Sequence, residues 1–131
     1  MTRKFTLQIA AISGALSVII GAFGAHGLHE LLVENDKLNV FETAVNYQFY
    51  HSLALLLVGV LMRSDKSKFL SQSALLFAFG ILIFSGSLYV LSVTNYTVLG
   101  AITPVGGVLF ILGWLALFRF ANSAQQDVNS K

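Results

Sequence analysis

Apolar and charged positions alternate along this chain in four long blocks. The first apolar stretch runs from Phe5 to about Ala25, 21 residues without a charge, which as a helix is about 31 Å, the thickness of a bilayer core. The second stops sharply at Met62 before Arg63, and counting back the roughly 20 residues a bilayer demands puts its start near Thr43. The third covers Phe69 to about Leu91, and the fourth about Leu99 to Phe118, where Arg119 closes it. No Asp, Glu, Lys or Arg interrupts any of them. The pattern predicts an all-α fold, a bundle of four transmembrane helices spanning about 5–26, 43–62, 69–91 and 99–119, with a short polar cytoplasmic tail over 122–131.

The loop before the second span is itself patterned. Leu38, Phe41, Val45 and Phe49 fall on one helical face, at i, i+3, i+7 and i+11, and Asp36 is the expected N-cap. The second span is therefore expected to begin beyond the lipid as an amphipathic turn or two. The other reading is a helix lying on the membrane surface. Both place Phe41 and Tyr47 near the interface. In the fourth span, Pro104 is expected to kink the helix and free a carbonyl near Gly100.

Composition narrows the class. Hydrophobic residues make up 56% of the 131 and charged ones 11%, against about 25% charged in soluble domains. A disordered chain, a collagen-like fibre and a soluble enzyme domain are excluded, and the length suits one domain. Cysteine is absent, which removes disulfides, thiolate metal sites and cysteine nucleophiles. The net charge is +2, but the eight cations are scattered, and nucleic-acid binding needs them clustered.

Charge sets the expected orientation instead. Arg3, Lys4, Arg63, Lys66, Lys68, Arg119 and Lys131 fall on one side of the four spans and only Lys37 on the other. By the positive-inside rule both termini are cytoplasmic and the acidic first loop, with Glu30, Glu34, Asp36 and Glu42, is outside. Arg3 and Lys4 before an apolar run also resemble a signal peptide, but the run exceeds the 7–15 residues of an h-region, so its retention is expected.

Small residues mark candidate helix contacts, because in lipid close backbone approach replaces the hydrophobic drive. Ser13, Ser17, Gly21 and Ala25 recur every fourth position in the first span, and Gly106, Gly107 and Gly113 line the fourth. Such faces serve either for packing within the bundle, for a dimer, or for a hinge or ligand-facing groove.

Polar residues inside apolar spans are costly unless they bond one another, and an intramembrane histidine is a candidate site by default. His51 lies near mid-membrane in the second span, one turn after Tyr47. His26 ends the first span; Ser85, Ser87 and Tyr89 fall in the outer half of the third and Thr103 in that of the fourth. A bundle would gather this polarity into one outer pocket, and His26, Tyr47, His51, Ser87, Tyr89 and Thr103 are its expected lining. Three readings stay open: interhelical hydrogen bonding alone, a pocket for a small ligand or lipid, and haem or metal ligation by His26 and His51. Two histidines without a third ligand type form no metal motif, and no metal site is assigned. Catalytic patterns are missing: no carboxylate lies within the spans to complete a Ser-His-Asp set, and no phosphate-cradling glycine motif occurs. An enzyme is not expected. The missing intramembrane acid also argues against a proton-coupled transporter, which leaves a small-molecule transporter as a lesser alternative.

Four segments together resemble the YgdD/YwdK-like family of small four-span membrane proteins, a domain of unknown function. They are Gly21-Ala22-Phe23-Gly24-Ala25-His26-Gly27-Leu28; Thr43-Ala44-Val45 through Tyr47-Gln48 to His51; Phe84-Ser85-Gly86-Ser87-Leu88-Tyr89; and Thr103-Pro104 with Gly106-Gly107 and Gly113-Trp114. The resemblance covers about residues 5–118. It implies an integral membrane protein, multi-pass in a bacterial plasma membrane, and supplies no activity or cofactor. The expected function is non-enzymatic: binding a small molecule in the outer polar pocket, or assembling with and stabilising a membrane-protein partner or a second copy.

Overall fold

The computed structural model describes the backbone of residues 1–129 and the side chains of residues 1–123; Lys131, counted above among the cations, lies outside the described residues. Every regular element among them is helical: α1 (Arg3–Ala25), α2 (His29–Glu34), α3 (Leu38–Leu61), α4 (Lys68–Gly80), α5 (Gly86–Thr94) and α6 (Thr103–Asn129). A π-helical turn, Ile81–Ser85, joins α4 to α5 as one rod, and a 3₁₀ turn, Thr97–Ala101, precedes α6. Four runs are long and apolar enough to cross a membrane: Arg3–Ala25, Leu38–Leu61, Lys68–Thr94 and Thr97–Ser123. The protein is an all-α, four-span integral membrane protein. Residues 122–129, expected as a separate polar tail, continue α6.

Local chemistry explains the boundaries, including two the sequence pattern misassigned. Thr2 and Ser67 cap α1 and α4 by accepting the amide protons of Phe5 and Phe69. Asp36 does not cap α3. It has φ 53°, and the amides of Asp36 and Lys37 bond back to the carbonyls of Val33 (3.0 Å) and Leu32 (2.8 Å). That is a Schellman closure of α2, in which Asp36 fills the left-handed position that Asp and Asn tolerate. Lys37 is left as the residue preceding α3, without a side-chain cap. Pro104 does not kink a helix either. It sits in the first turn of α6, where its missing N–H is one of those a helix leaves unpaired anyway.

The short helix α2 buries Leu32 completely. Asn35, just after it, donates its side-chain amide to the carbonyls of Ser92 (3.0 Å) and Val93 (3.3 Å). The first loop is thereby tied to the end of the third span, where a helix leaves carbonyls unpaired.

Neighbours in space follow neighbours in sequence: α1 packs on α3, α3 on the third span, and the third span on α6. Small residues set these approaches. Ser13 and Ser17 are buried, and a Cβ at Gly21 would stand 3.1 Å from Val45 Cγ1, so three of the four expected first-span positions face α3. Ala25 is exposed. On α6, Gly106 lies against the backbone of Phe84, Gly107 at ordinary contact with its ring, and Gly113 under the Phe77 ring. Bulky side chains such as Leu57 and Leu82 (62% and 67% exposed) point outward. A lipid-facing surface accommodates them without the penalty water would impose.

Candidate functional site

Spacing alone did not single out the residue that connects most of the buried polarity. Gln48 on α3 is 5% exposed. It donates through Nε2 to the Ser13 carbonyl of α1 (2.9 Å) and accepts through Oε1 from the Tyr89 hydroxyl of α5 (2.7 Å). The Ser13 carbonyl can only accept, so the amide orientation follows from its partners. Ser52, one turn on, donates to the Gln48 carbonyl (2.6 Å), and its oxygen lies at hydrogen-bond distance from Ser13 Oγ (2.8 Å). Tyr89 also meets the Phe41 ring edge-on at 5.2 Å. Three spans are thus joined through one amide. The signal available in the sequence was an uncharged hydrogen-bonding side chain facing the same way as Ser52.

His51 belongs to a second cluster, on the α3–α6 side. Its Nδ1 lies 2.8 Å from the Tyr47 carbonyl, which requires a proton on Nδ1. Nε2 then accepts, and the Trp114 indole N–H points to it at 3.3 Å. The imidazole stacks on Phe110 with 3.5 Å between centroids and packs against Phe77 and Trp114. Tyr47 stacks on Phe84 at 4.7 Å. Both imidazole nitrogens are therefore engaged within the protein.

The remaining expected residues lie elsewhere. Ser87 and Thr103 bond each other at 2.8 Å, joining α5 to the start of α6. His26 is exposed at the end of α1, its Nδ1 3.1 Å from the Ala22 carbonyl. The six residues expected to line one pocket are thus distributed over separate contacts: Tyr47 with His51, Ser87 with Thr103, Tyr89 with Gln48, and His26 alone. No group of three or more His, Asp or Glu residues that could hold a metal ion occurs among the described residues.

A recess beside Gln48 lies outside the His51 cluster. A groove of about 530 Å³ runs between α1 and the third span, within the size range of small-ligand sites. Its walls are apolar, with Phe5, Ile9, Ile12 and Leu16 from α1 facing Leu75, Phe79 and Leu82. Ser13, Gln48, Ser85 and Tyr89 form a polar patch between them, and no Asp, Glu, Lys or Arg lines it. Ser85 is 1% exposed and its hydroxyl has no hydrogen-bond partner among the described residues. A buried unpaired hydroxyl costs about 1–3 kcal/mol. A second recess, about 460 Å³, lies where α1 ends beside the start of α3, with His29, Glu42 and Asn46 on its rim.

The sequence has relatives among known proteins. The chain is 46% identical over 122 residues to a UPF0382 membrane protein of Staphylococcus aureus, covering 90% of this chain and 98% of that one. It is 46% identical over 118 residues to the UPF0382 membrane protein YwdK of Bacillus subtilis, covering 87% and 93%. A UPF0382 membrane protein of Haemophilus influenzae is 44% identical over 118 residues, covering 89% and 92%. No solved structure matches. Residues 20–107 match the model described as protein of unknown function (DUF423), and with these relatives the match places the chain in the DUF423 (UPF0382) family of membrane proteins.

Proposed function

We propose that this protein is a non-enzymatic binding protein of the bacterial plasma membrane that takes an apolar molecule from the bilayer into the groove between α1 and the third span. The observation that carries this reading is the groove itself, apolar along its walls and polar at one central patch. Uniform apolar walls would suffice for lipid solvation alone; here Ser13, Gln48 and Tyr89 bond one another within the wall, and the Ser85 hydroxyl is left without a partner among the described residues. No thiol or carboxylate lines the groove, so its chemistry suits recognition better than turnover.

Gly86 supplies the test. It lines the groove, and a Cβ added there would meet nothing within 4 Å. Gly86→Leu should therefore fill the recess without displacing its neighbours. Protein purified in a mild detergent is expected to carry a lipid-like molecule in near-stoichiometric amount, measured by extraction and mass spectrometry, and the variant is expected to lose it. Equal amounts on both, or none on the parent, would overturn the reading.

The proposed topology has both termini and the second loop in the cytoplasm, following the cations on that side. With no native cysteine, single-cysteine labelling in intact cells tests it directly. Glu34→Cys is expected to react with an impermeant maleimide and Ser64→Cys to react only after lysis. The reverse pattern would refute the orientation.

A further inference from the structure

We infer that the groove holds one acyl chain of a phospholipid with net negative charge, and that Lys68 receives its phosphate at the end where α1 and α4 begin. This rests on the groove being the binding site and adds what distinguishes one occupant from another. The lining, the continuation of its face and the distribution of charge carry it.

The lining suits a long apolar chain and keeps charge out. The groove follows α1 from Phe5 to Ile20, about 22 Å at a rise of 1.5 Å per residue. A lipid chain reaching the mid-plane of a bilayer core covers about 15 Å, so one extended chain fits within that length. Gln48, the central polar residue, is already bonded to the Ser13 carbonyl and the Tyr89 hydroxyl. No Asp, Glu, Lys or Arg lines the groove, and a charge drawn inside would go unpaired at high cost. The charged group of an occupant therefore stays at one end.

The two ends differ. Ser71 and Lys68 lie one turn and two turns before Leu75 on α4, on the same helical face as the groove residues Leu75, Phe79 and Leu82. The contact of Ser71 gives the direction of that face: its hydroxyl donates to the Met1 carbonyl (3.4 Å), and Met1 itself lines the groove. Lys68 thus stands one turn beyond this closure, below the mouth. It is exposed, with its ammonium 5.5 Å from the centroid of the neighbouring Phe69 ring. That contact is weak at an exposed site, and the flexible four-carbon stem lets the ammonium leave it for an anion.

Charge around the mouth favours the same group. Lys4, exposed beside Phe5, adds a second cation at this end. Asp65, in the loop before α4, already accepts the Ser67 amide proton (2.7 Å). Past Ile20 and Tyr89, the segment beyond the other end carries Glu30, Glu34, Asp36 and Glu42 against Lys37 alone. An anion is attracted to the first end and repelled from the second. A zwitterionic headgroup gains less, because its own cation meets Lys68.

The test uses the full-length protein in a mild detergent, incubated with equal amounts of deuterated phosphatidylglycerol and phosphatidylcholine of the same acyl chains. Lipid retained after gel filtration is quantified by mass spectrometry, in excess of an Ala78→Leu sample. Ala78 lines the groove nearer to Lys68 than Gly86 does, so the larger side chain obstructs the chain close to its head. The parent is expected to prefer phosphatidylglycerol about fivefold or more, the effect of one lysine beside an anionic lipid, and less so at high salt. Lys68→Gln should lower the preference about fivefold, with phosphatidylcholine retention and thermal unfolding unchanged, and Lys68→Arg should keep it. Arg63→Gln and Arg119→Gln remove cations from the same side of the spans but off this face, and should leave the preference intact. No preference in the parent would overturn the headgroup assignment while leaving the groove as a site. So would a preference that Arg63→Gln lowers as much as Lys68→Gln does. Equal retention by the parent, Ala78→Leu and Gly86→Leu would overturn the groove itself.

Discussion

Gly106→Ala is expected to lower the stability of the bundle by about 3 kcal/mol, while Gly107→Ala, one residue on, leaves it unchanged or raises it. A Cβ at position 106 would stand 2.7 Å from Phe84 Cα, closer than real contacts allow. The obstacle is backbone, so no rotamer change relieves it, and the third span and α6 must separate. Overpacking usually costs about 1–3 kcal/mol, with rigid surroundings at the upper end. At position 107 the nearest atoms belong to the Phe84 ring at 3.9 Å, an ordinary contact, and alanine gains up to about 1 kcal/mol in helix propensity. Thermal unfolding followed by gel filtration in detergent separates the two. Equal behaviour of both variants would show that the third-span to α6 approach is looser than described.

The second large effect is expected at His51. His51→Ala removes the ring stacked on Phe110 and the acceptor of the Trp114 N–H, leaving a cavity and an unpaired donor together. Large-to-small core changes and lost buried hydrogen bonds put the cost at about 3–4 kcal/mol. His51→Phe, which keeps a ring and loses both bonds, is expected to cost about half of that. Trp114 is the chain's single tryptophan, so its emission reports the site without interference. The alanine variant is expected to show a shifted emission and a lower unfolding temperature. The same geometry bears on cofactor ligation, because a haem or metal on His51 would have to displace Trp114 or the bond to Tyr47. Protein purified without added cofactor is expected to show no Soret band that depends on His51. A band lost in His51→Ala would refute this account of the imidazole.

What the linear sequence determined is tied to chain-local physics. Span number and approximate ends follow from uninterrupted apolar length against bilayer thickness, and Met62 before Arg63 or Phe118 before Arg119 are sharp because a charge at the bilayer core is costly. That α3 starts well before Thr43 was legible too, in the periodicity of Leu38, Phe41, Val45 and Phe49, all within the helix Leu38–Leu61. Local cap chemistry was less legible. Asp36 fits an N-cap or a left-handed helix end equally well in sequence, and only the burial of Leu32, which holds α2 in place, selected the second.

The grouping of polar residues was decided by the tertiary structure alone. Helical spacing states which residues share a face, as Tyr47 and His51 do, but not which neighbour that face meets. The rotation of each span in lipid depends on contacts such as Gly106 on Phe84 and Ser13 beside Ser52, made by residues distant in sequence. Those rotations sent His51 toward Trp114, turned Gln48 toward Ser13 and Tyr89, and left His26 at the exposed end of α1. The π-helical turn has the same origin. It places the Phe84 backbone against Gly106 and leaves Ser85 unpartnered at the groove, and neither consequence is written in the apolar pattern of the third span, because hydropathy records how well a residue suits lipid and not which other residue it meets there.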